Sequence, residues 1–359
     1  MTTVAQFTID YVQFLNHESK IVQTLPEFAK DLSQLKAMYR SMVLTRILDA
    51  KAVNLQRMGK MGTYPSSLGQ EAYAIGMGYA LQPDDIFCPY YRDQGCMLQR
   101  GVKASEILAF WGGDERASNY ANQKIHEDFP IAIPVASQTL HAAGIAYALK
   151  IRKQKRAVLT SIGEGGTSKG DFYEAMNFAG AQHLPVVFVI NNNQWAISVP
   201  RSLQSGAKTL AQKAIAAGFP GIQVDGNDVI AVRHVIEQAL TKAHQGEGPT
   251  LVEAVTYRLC DHTTADDAKR YADKAELEKA WQYEPIARLR NYLQEQNAWS
   301  DQDEQQLQQA CTAEIDQAIQ EYLQLPPPPP TEIFDYMYAQ LPKPLAAQRE
   351  EFVQITQMQ

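Results

Sequence analysis

The sequence predicts an α/β fold with a doubly wound, mostly parallel sheet and helical extensions at both ends. The first observation is a βαβ unit in the middle of the chain, where two short β-branched apolar runs flank a segment with helical spacing. The second is a further pair of candidate strands on either side of the helical pattern at 229–244. Strands that alternate with helices in this way form parallel sheets with right-handed crossovers.

Composition and charge argue against two classes of binding partner, nucleic acid and membrane. The 359 residues are 45% hydrophobic and 20% charged, which is enough apolar material for a large core. The net charge of −7 argues against nucleic acid as a partner, because nucleic-acid surfaces need clustered Lys and Arg. The longest strongly apolar run, at 184–190, is far shorter than the roughly 20 residues that span a bilayer. We expect neither a nucleic-acid nor a membrane partner.

The cysteines and the N-terminus predict a cytoplasmic location. The four cysteines lie far apart and include no CxxC pair, which argues against a disulfide framework and against a zinc site. The first residues contain no apolar signal core, and Asp10, His17 and Glu18 interrupt any Arg- and Ser-rich presequence.

The first third of the chain predicts an arm followed by two helices. Residues 1–32 are interpreted as an N-terminal arm, and the main α/β domain is predicted to cover 33–275. Apolar residues recur at helical spacing from Ser33, which we expect to cap a helix that Gly59 ends. Residues 62–69 predict a loop, and 70–81 predict a second helix.

The middle of the chain supplies the sheet. Residues 157–162 predict a strand, 171–182 a helix and 185–190 a second strand. Candidate strands at 222–225 and 250–255 flank the helix at 229–244.

The last region, 276–359, is predicted to be helical and is rich in Gln and Glu. Within it, Pro326 to Pro330 form a run that favours a stiff polyproline II spacer. We interpret this run as a connector to the last helix rather than as a peptide ligand for another domain.

Polar residues follow both strands of the βαβ unit. Glu164 follows the first strand, and Asn193 follows the second, 29 residues later. Because the carboxyl ends of neighbouring parallel strands meet at one edge of the sheet, these side chains should lie together. A carboxylate and an amide oxygen suit Mg²⁺, which completes its coordination with phosphate oxygens and water. Gly163, Gly165 and Gly166 would let backbone N–H groups approach such a phosphate.

Two common nucleotide motifs fail in this turn. A dinucleotide-binding G-x-G-x-x-G that starts at Gly163 would need glycine where the chain has Ser168. A P-loop would need Lys where the chain has Asp171. An NAD-binding dehydrogenase is therefore disfavoured.

The turn resembles the thiamine diphosphate motif, which is G-[DE]-G closed by an Asn pair about thirty residues later. The wider sequence is similar to the alpha subunits of the first component of 2-oxo acid dehydrogenase complexes, and most similar to bacterial members that act on pyruvate. The resemblance covers nearly the whole chain. It includes TRILD at 45–49, GQEA at 69–72, YRDQG at 91–95, GIQVDGND at 221–228 and GEGPTLVEAVTYR at 246–258.

The resemblance implies a thiamine diphosphate-binding fold and a set of cofactor residues. It implies that Glu164, the Asn193 side chain and the Trp195 carbonyl bind Mg²⁺. The residues that it places against the diphosphate are Gly163, Gly165, Gly166, Tyr91 and Arg92. It implies that Val135 supports the bent shape of the cofactor and that His262, in a mobile loop, is the active-site histidine. An ordinary histidine pKa near 6.5 would let His262 orient or protonate groups during acyl transfer.

Each assignment has a simpler alternative. Glu164 would also suit a helix N-terminus, and the Asn191–Asn193 run would suit a strand-ending turn. The pattern alone also allows an Arg92–Asp93 ion pair, a core position for Val135 and a solvated loop position for His262.

The resemblance implies partners as well as a reaction. It implies oxidative decarboxylation of pyruvate with acyl transfer to a lipoyl-bearing dihydrolipoyl acyltransferase. It also implies two alpha and two beta chains, because the carboxylate that activates the cofactor comes from the beta subunit. Pyruvate members usually carry Asp at the position of Glu164, whereas branched-chain members often carry Glu. Branched-chain 2-oxo acid and acetoin enzymes, and a non-catalytic subunit that binds a metal–diphosphate, remain alternatives.

Overall fold

The computed structural model describes residues 1–335 and 337–357. The strands, in chain order, are β1 (Tyr11–Val12), β2 (Ile86–Cys88), β3 (Val158–Gly163), β4 (Val186–Asn192), β5 (Trp195–Ala196), β6 (Val199–Pro200), β7 (Gly221–Asp225) and β8 (Thr250–Val255).

Helices surround these strands along the whole chain. The α-helices are α1 (Glu27–Lys30), α2 (Leu32–Arg57), α3 (Glu71–Ala80), α4 (Gln94–Arg100), α5 (Ala104–Trp111), α6 (Ser137–Ile151), α7 (Gly170–Ala181), α8 (Arg201–Gln204), α9 (Lys213–Ala216), α10 (Val229–His244), α11 (Lys274–Trp281), α12 (Pro285–Glu295), α13 (Asp301–Leu323), α14 (Glu332–Asp335) and α15 (Lys343–Gln357). Short 3₁₀ helices lie at Glu115–Ser118, Gln123–Ile125, Glu164–Ser168 and Ala268–Arg270. In the described part of the chain, no helix is both long enough and apolar enough to cross a membrane.

The main sheet is parallel throughout, in the order β2-β3-β4-β8-β7-β1. The predicted βαβ unit is confirmed, because β3 and β4 pair in parallel from Val158↔Val186 to Gly163↔Asn191. Strands β2, β3 and β4 lie side by side in chain order, but the next neighbour of β4 is β8 and β7 lies beyond it. The direction of the strand order therefore reverses between β4 and β8. The carboxyl end of β4 therefore lies at a reversal, where open α/β sheets bind their ligands.

Helices cover both faces of this sheet, as the doubly wound prediction requires. Leu159, Val187 and Val189 belong to a core that includes buried residues of α2, α3 and α10. The intervening residues Val186 and Phe188 belong to a second core with α6 and α7. Successive strand side chains point to opposite faces, so a strand buried on both sides reads as the unbroken apolar run seen in the sequence.

Part of the region interpreted as an arm lies at the edge of the sheet. Strand β1 pairs with β7, with Tyr11 opposite Gln223. The backbone N–H groups of Phe14 and Leu15 both donate to Asp228 Oδ2 at 2.7 Å. Asp228 also caps α10, through Oδ1 and the Ile230 N–H at 3.0 Å. The start of the chain is thus tied to the start of α10.

The cap predicted for the first long helix is wrong by two residues. Asp31 is the N-cap of α2, and its side chain accepts the Ser33 N–H at 2.9 Å. The chain bends at Asp31, where α1 has just ended, so a stronger acceptor is available before Ser33 is reached. Gly59 has a φ of +70° directly after the C-cap, as expected for a residue that ends a helix.

The C-terminal helices pack against the first part of the chain. Arg46 on α2 donates to Glu284, the N-cap of α12, at 2.6 Å. Helix α13 contacts α2 and α5, and Arg40 on α2 pairs with Glu314 on α13 at 2.5 Å. Pro326 to Pro330 lie between α13 and α14, and the Pro326 carbonyl accepts from Arg116 at 2.8 Å.

Candidate active site

A cavity of about 520 Å³ opens at the carboxyl ends of β3 and β4. The structure brings every candidate site residue from the sequence to its wall. These are Tyr91, Arg92, Val135, Gly163, Glu164, Gly165, Gly166, Asn193, Trp195 and His262.

Glu164 is a buried carboxylate with one free oxygen. It begins the 3₁₀ helix that follows β3, and it is 1% exposed. Its Oε2 accepts the backbone N–H of Asn193 at 3.2 Å, whereas Oε1 has no hydrogen-bond partner among the described residues. Burial raises the pKa of Glu164 to about 7. A buried oxygen without a partner can accept a hydrogen bond from a ligand or bind a cation.

Asn193 lies beside this carboxylate through its backbone N–H, and two hydrogen bonds orient its side-chain amide. Its Oδ1 accepts the backbone N–H of Trp195 at 3.2 Å, and its Nδ2 donates to Gln70 Oε1 at 3.0 Å. The intervening Gln194 has a φ of +72°, a conformation that non-glycine residues adopt rarely and mostly at tight turns or functional sites. The strand-ending turn proposed as the simpler alternative is present, and it also orients the amide.

Two of the predicted glycines are required by close packing. A Cβ on Gly165 would lie 2.6 Å from Ala196 Cβ. A Cβ on Gly166 would lie 2.8 Å from Ile162 Cγ1 and 3.0 Å from Val135 Cγ1. Gly163 has more room, since its nearest neighbour would be the Tyr90 ring at 3.7 Å. The glycines therefore let the backbone of the turn lie at the cavity wall while neighbouring side chains pack closely against it.

The chemistry of this donor set fits a magnesium–diphosphate. A carboxylate oxygen without a partner and an amide oxygen are hard ligands, and bare backbone amides suit a phosphate. In residues 1–335 and 337–357, no group of three or more His, Cys, Asp or Glu could hold a metal. Mg²⁺ commonly binds through one or two carboxylates together with phosphates and water, so a site with a single carboxylate suits it.

Arg92 is a buried cation at the wall of the cavity. It is 2% exposed, and it donates to the carbonyls of Ser66 and, at 3.0 Å, His262. In the described structure it does not form the ion pair with Asp93 that the sequence allowed. Its guanidinium also lies 5.4 Å from the centroid of the Tyr91 ring. Backbone carbonyls therefore hold Arg92, and its guanidinium forms no ion pair within the described residues.

His262 is held between two arginines. Its Nδ1 lies 3.2 Å from Arg92 Nη2 and 3.3 Å from Arg258 Nη1. A guanidinium only donates, so Nδ1 accepts and the proton of the neutral ring is on Nε2. Burial and the two cations lower the pKa of His262 to about 3. The ordinary histidine pKa near 6.5 therefore does not apply to His262 in this structure, because burial and the two arginines oppose protonation.

The loop that carries His262 is fixed by a polar network. Asp266 Oδ2 accepts the His262 backbone N–H at 2.9 Å and also accepts the Tyr271 hydroxyl. Arg258 Nη2 donates to the same hydroxyl at 2.8 Å, and the Tyr271 ring lies 5.4 Å from the Trp195 ring. His262 is thus a packed and oriented residue, not a solvated one.

The remaining predicted residues form the apolar part of the wall. Val135 is 41% exposed within the cavity wall, so it is not an ordinary core residue. The Tyr91 ring is perpendicular to the His262 ring, with centroids 6.3 Å apart. The Trp195 side chain is 7% exposed, between β4 and the His262 loop.

Three residues that hold the site were not predicted from the sequence. Gln70 accepts from Asn193, Gln204 donates to the Gly165 carbonyl at 3.1 Å, and Arg258 contacts His262. Gln70 and Arg258 belong to sequence blocks that carry the family resemblance, GQEA and VTYR, which was the available signal. Gln204 lies outside those blocks, and nothing in its local pattern marks it.

Removing Arg258 should raise the pKa of His262. In Arg258→Met one of the two opposing cations is lost, so the pKa should move up from about 3 toward its ordinary value, while burial and Arg92 keep it below that value. Histidine ring signals in ¹³C NMR of the labelled chain measure this shift. Arg233→Met, which removes a cation packed 3.9 Å from the Phe28 ring, serves as the control. An unchanged His262 pKa in Arg258→Met would contradict the assignment.

Asp93 should make the stability of the chain depend on pH. It is buried and accepts from the Tyr90 N–H at 3.0 Å, Tyr73 OH at 3.2 Å and Ser161 Oγ. Burial raises its pKa to about 7, so folding favours the protonated form. That contribution is complete below the unfolded pKa near 4 and is lost as the pH rises through 7. Relative to Asp93→Asn, the chain should lose roughly 4 kcal/mol of unfolding free energy between about pH 4 and pH 8.

Urea unfolding of both proteins across this pH range measures the effect, and the difference between them removes the contribution of all other groups. Parallel stability profiles for the two proteins would show that Asp93 titrates normally.

Comparison with known proteins identifies relatives along almost the whole length. The family described as "Dehydrogenase E1 component" matches residues 39–331. The pyruvate dehydrogenase E1 component subunit alpha of Mycoplasma genitalium is 38% identical over 338 residues, which cover 94% of this chain and 94% of the relative. The protein of the same name from Bacillus cereus is 40% identical over 350 residues, covering 96% and 92%. The 3-methyl-2-oxobutanoate dehydrogenase subunit alpha of Mycobacterium tuberculosis is 40% identical over 326 residues, covering 90% and 88%.

Proposed function

The chain belongs to the dehydrogenase E1 component family, and we propose that it is the alpha subunit of a thiamine diphosphate-dependent enzyme that oxidatively decarboxylates pyruvate. The observation that carries this proposal is the unpartnered oxygen of buried Glu164 at a cavity that Asn193 and a glycine turn also line. That combination is suited to a metal-bridged diphosphate.

Different residues of the chain would bind the metal and the diphosphate. Glu164, Asn193 Oδ1 and the Trp195 carbonyl would hold Mg²⁺, while Gly163, Gly165 and Gly166 would lie against the diphosphate. Tyr91 and Arg92 would reach the same diphosphate, and Arg92 would form charge-assisted hydrogen bonds with it. Val135 would support the bent cofactor from the cavity wall. When bound, thiamine diphosphate supplies the electron sink for decarboxylation.

His262 would act as an oriented hydrogen-bond donor. Its proton is on Nε2, because Arg92 and Arg258 occupy Nδ1. This donor would orient the incoming acyl acceptor and stabilise the charge that develops during transfer to the lipoyl group. A negatively charged diphosphate near Arg92 would offset part of the positive field and raise the pKa of His262.

Relatives that are alpha subunits of an E1 component support a larger assembly for this chain. We propose that two alpha chains associate with two beta chains, with the cofactor between them and the activating carboxylate supplied by beta. The acyl group would pass to a lipoyl-bearing dihydrolipoyl acyltransferase. We propose a cytoplasmic location, which four free cysteines, three of them buried, support.

A branched-chain 2-oxo acid is the second candidate substrate. Two observations favour it: Glu164 is one methylene longer than the Asp expected of pyruvate members, and a relative named for 3-methyl-2-oxobutanoate is 40% identical. The extra methylene extends the carboxylate by about 1.5 Å, which a small backbone shift accommodates. Pyruvate remains the favoured substrate because more of the flanking sequence blocks resemble pyruvate members.

Steady-state rates decide between these substrates. The chain, co-expressed with the beta chain and loaded with thiamine diphosphate and Mg²⁺, is assayed with pyruvate, 3-methyl-2-oxobutanoate and acetoin. We expect the highest kcat/KM with pyruvate, dependence on both cofactors, and almost no turnover by the alpha chain alone. Faster turnover of the branched substrate would reassign the substrate, and full activity without beta would contradict the proposed assembly.

A further inference from the structure

We propose, on the basis of the function above, that Gln70 is a positioning residue for the metal ligand Asn193. Its side-chain carbonyl oxygen holds the Asn193 amide so that the oxygen, and not the NH₂ group, is available on the side of Trp195. Gln70 lines no part of the cavity itself, so it would act on the metal only through Asn193.

The contacts that carry this inference are buried and connect distant parts of the chain. Gln70 is the N-cap residue of α3 and is 1% exposed. Its Oε1 accepts from Asn193 Nδ2 at 3.0 Å and from Asn191 Nδ2 at 2.8 Å. A carbonyl oxygen has two acceptor sites, and both are filled by amides at the end of β4.

The directions of these hydrogen bonds are fixed from one end. The backbone N–H of Trp195 can only donate, so the atom of Asn193 that faces it must be Oδ1. Nδ2 of Asn193 therefore faces Gln70, and Gln70 must offer its oxygen. If the Asn193 amide were reversed, an NH₂ group would face the Trp195 N–H and two oxygens would face each other at Gln70. Both contacts would be lost, and the ligand oxygen would be turned away from Trp195.

The NH₂ group of Gln70 has no role comparable to that of its oxygen. Gln70 Nε2 is buried and has no hydrogen-bond partner among the described residues. Exchanging this NH₂ group for an oxygen, as in Gln70→Glu, keeps the acceptor that Asn193 and Asn191 use, whether or not the acid is ionised. Gln70→Met keeps a similar length and removes the acceptor. The two variants separate the hydrogen bond from simple packing.

The experiment is a titration of metal into the alpha–beta complex at saturating thiamine diphosphate. Bound and free Mn²⁺ are measured by electron paramagnetic resonance, and Mg²⁺ is measured by competition. We expect Gln70→Met to raise the metal Kd by roughly 10–100-fold, the usual effect of losing a residue that orients a ligand. We expect Gln70→Glu to bind metal about as tightly as the unaltered complex.

Gln94→Met is the matched control. Gln94 is also buried, and its amide donates to the carbonyls of Pro65 at 3.2 Å and Tyr91 at 3.4 Å. Its loss should lower the melting temperature without changing the metal Kd. If Gln70→Met does not fold, Gln70→Asn replaces it, because its oxygen is withdrawn by about 1.5 Å from both asparagines.

The outcomes distinguish this inference from the proposed function. If the unaltered complex binds metal and Gln70→Met binds it equally well, the role of Gln70 is wrong and the function stands. Equal weakening in Gln70→Met, Gln70→Glu and Gln94→Met would show a packing effect and also overturn the role. If the unaltered complex binds no metal with thiamine diphosphate, the proposed function fails and the role of Gln70 fails with it.

Discussion

Replacing Glu164 with glutamine should reduce metal and cofactor affinity by a factor on the order of 10²–10⁴, because removing one partner of a buried ion pair costs about 3–5 kcal/mol. Glutamine keeps the size of the side chain and removes the charge. Turnover at fixed Mg²⁺ should fall in parallel. Calorimetric titration of thiamine diphosphate and Mg²⁺ into the alpha–beta complex measures the affinity.

In the alpha chain without ligands, the same substitution should not lower the stability. Burial raises the pKa of Glu164 to about 7, so at pH 8 the folded chain carries a poorly solvated carboxylate. Glu164→Gln should therefore be at least as stable as the unaltered alpha chain without ligands. Glu284→Gln, which alters another buried carboxylate at the α12 cap, should lose stability and keep its metal affinity. Undiminished metal binding by Glu164→Gln would remove Glu164 from the site.

Replacing His262 with alanine should slow lipoyl acylation by about 10²-fold, the lower end of the effect of removing one preorganised hydrogen-bond donor. His262 lines the cavity, and Arg92, Arg258 and the loop network hold its ring in a fixed orientation. Oxidation by an artificial electron acceptor bypasses the acyl acceptor and should change far less. The ratio of the two rates, measured on one preparation, isolates acyl transfer.

A second histidine provides the comparison. His126 is exposed and does not line the cavity, so His126→Ala should leave both rates unchanged. Equal losses of both rates in His262→Ala would place the residue in decarboxylation. Unchanged rates would support a subunit that binds the metal–diphosphate without taking part in catalysis.

The βαβ unit and its polar ends were predictable because their causes are local. Unbroken apolar runs indicate strands buried on both faces, and the carboxyl ends of neighbouring parallel strands must meet. The sequence alone therefore predicts that Glu164 and Asn193 lie together. The helix Val229–His244 was also predicted with its observed bounds, since the apolar periodicity is clear.

The parts that could not be predicted depend on contacts between distant residues. Strand β1 has only two residues, and its pairing with β7 spans more than two hundred positions, so no local pattern marks it. The low pKa of His262 depends on its burial and on Arg92, which is 170 residues away in the sequence. The role of Gln70 depends on a hydrogen bond across 123 residues. A short motif indicates which atoms bind, whereas their orientation and charge state come from the assembled fold.

The proposed metal site can be located by diffraction from crystals of the alpha–beta complex with thiamine diphosphate and Mn²⁺ in place of Mg²⁺. An anomalous difference map locates the metal without reference to the surrounding chain. We expect one strong peak at the tips of β3 and β4, about 2.2 Å from a Glu164 carboxylate oxygen and from Asn193 Oδ1. A peak at any other place, with neither side chain as a ligand, would show that Glu164 and Asn193 do not bind the metal.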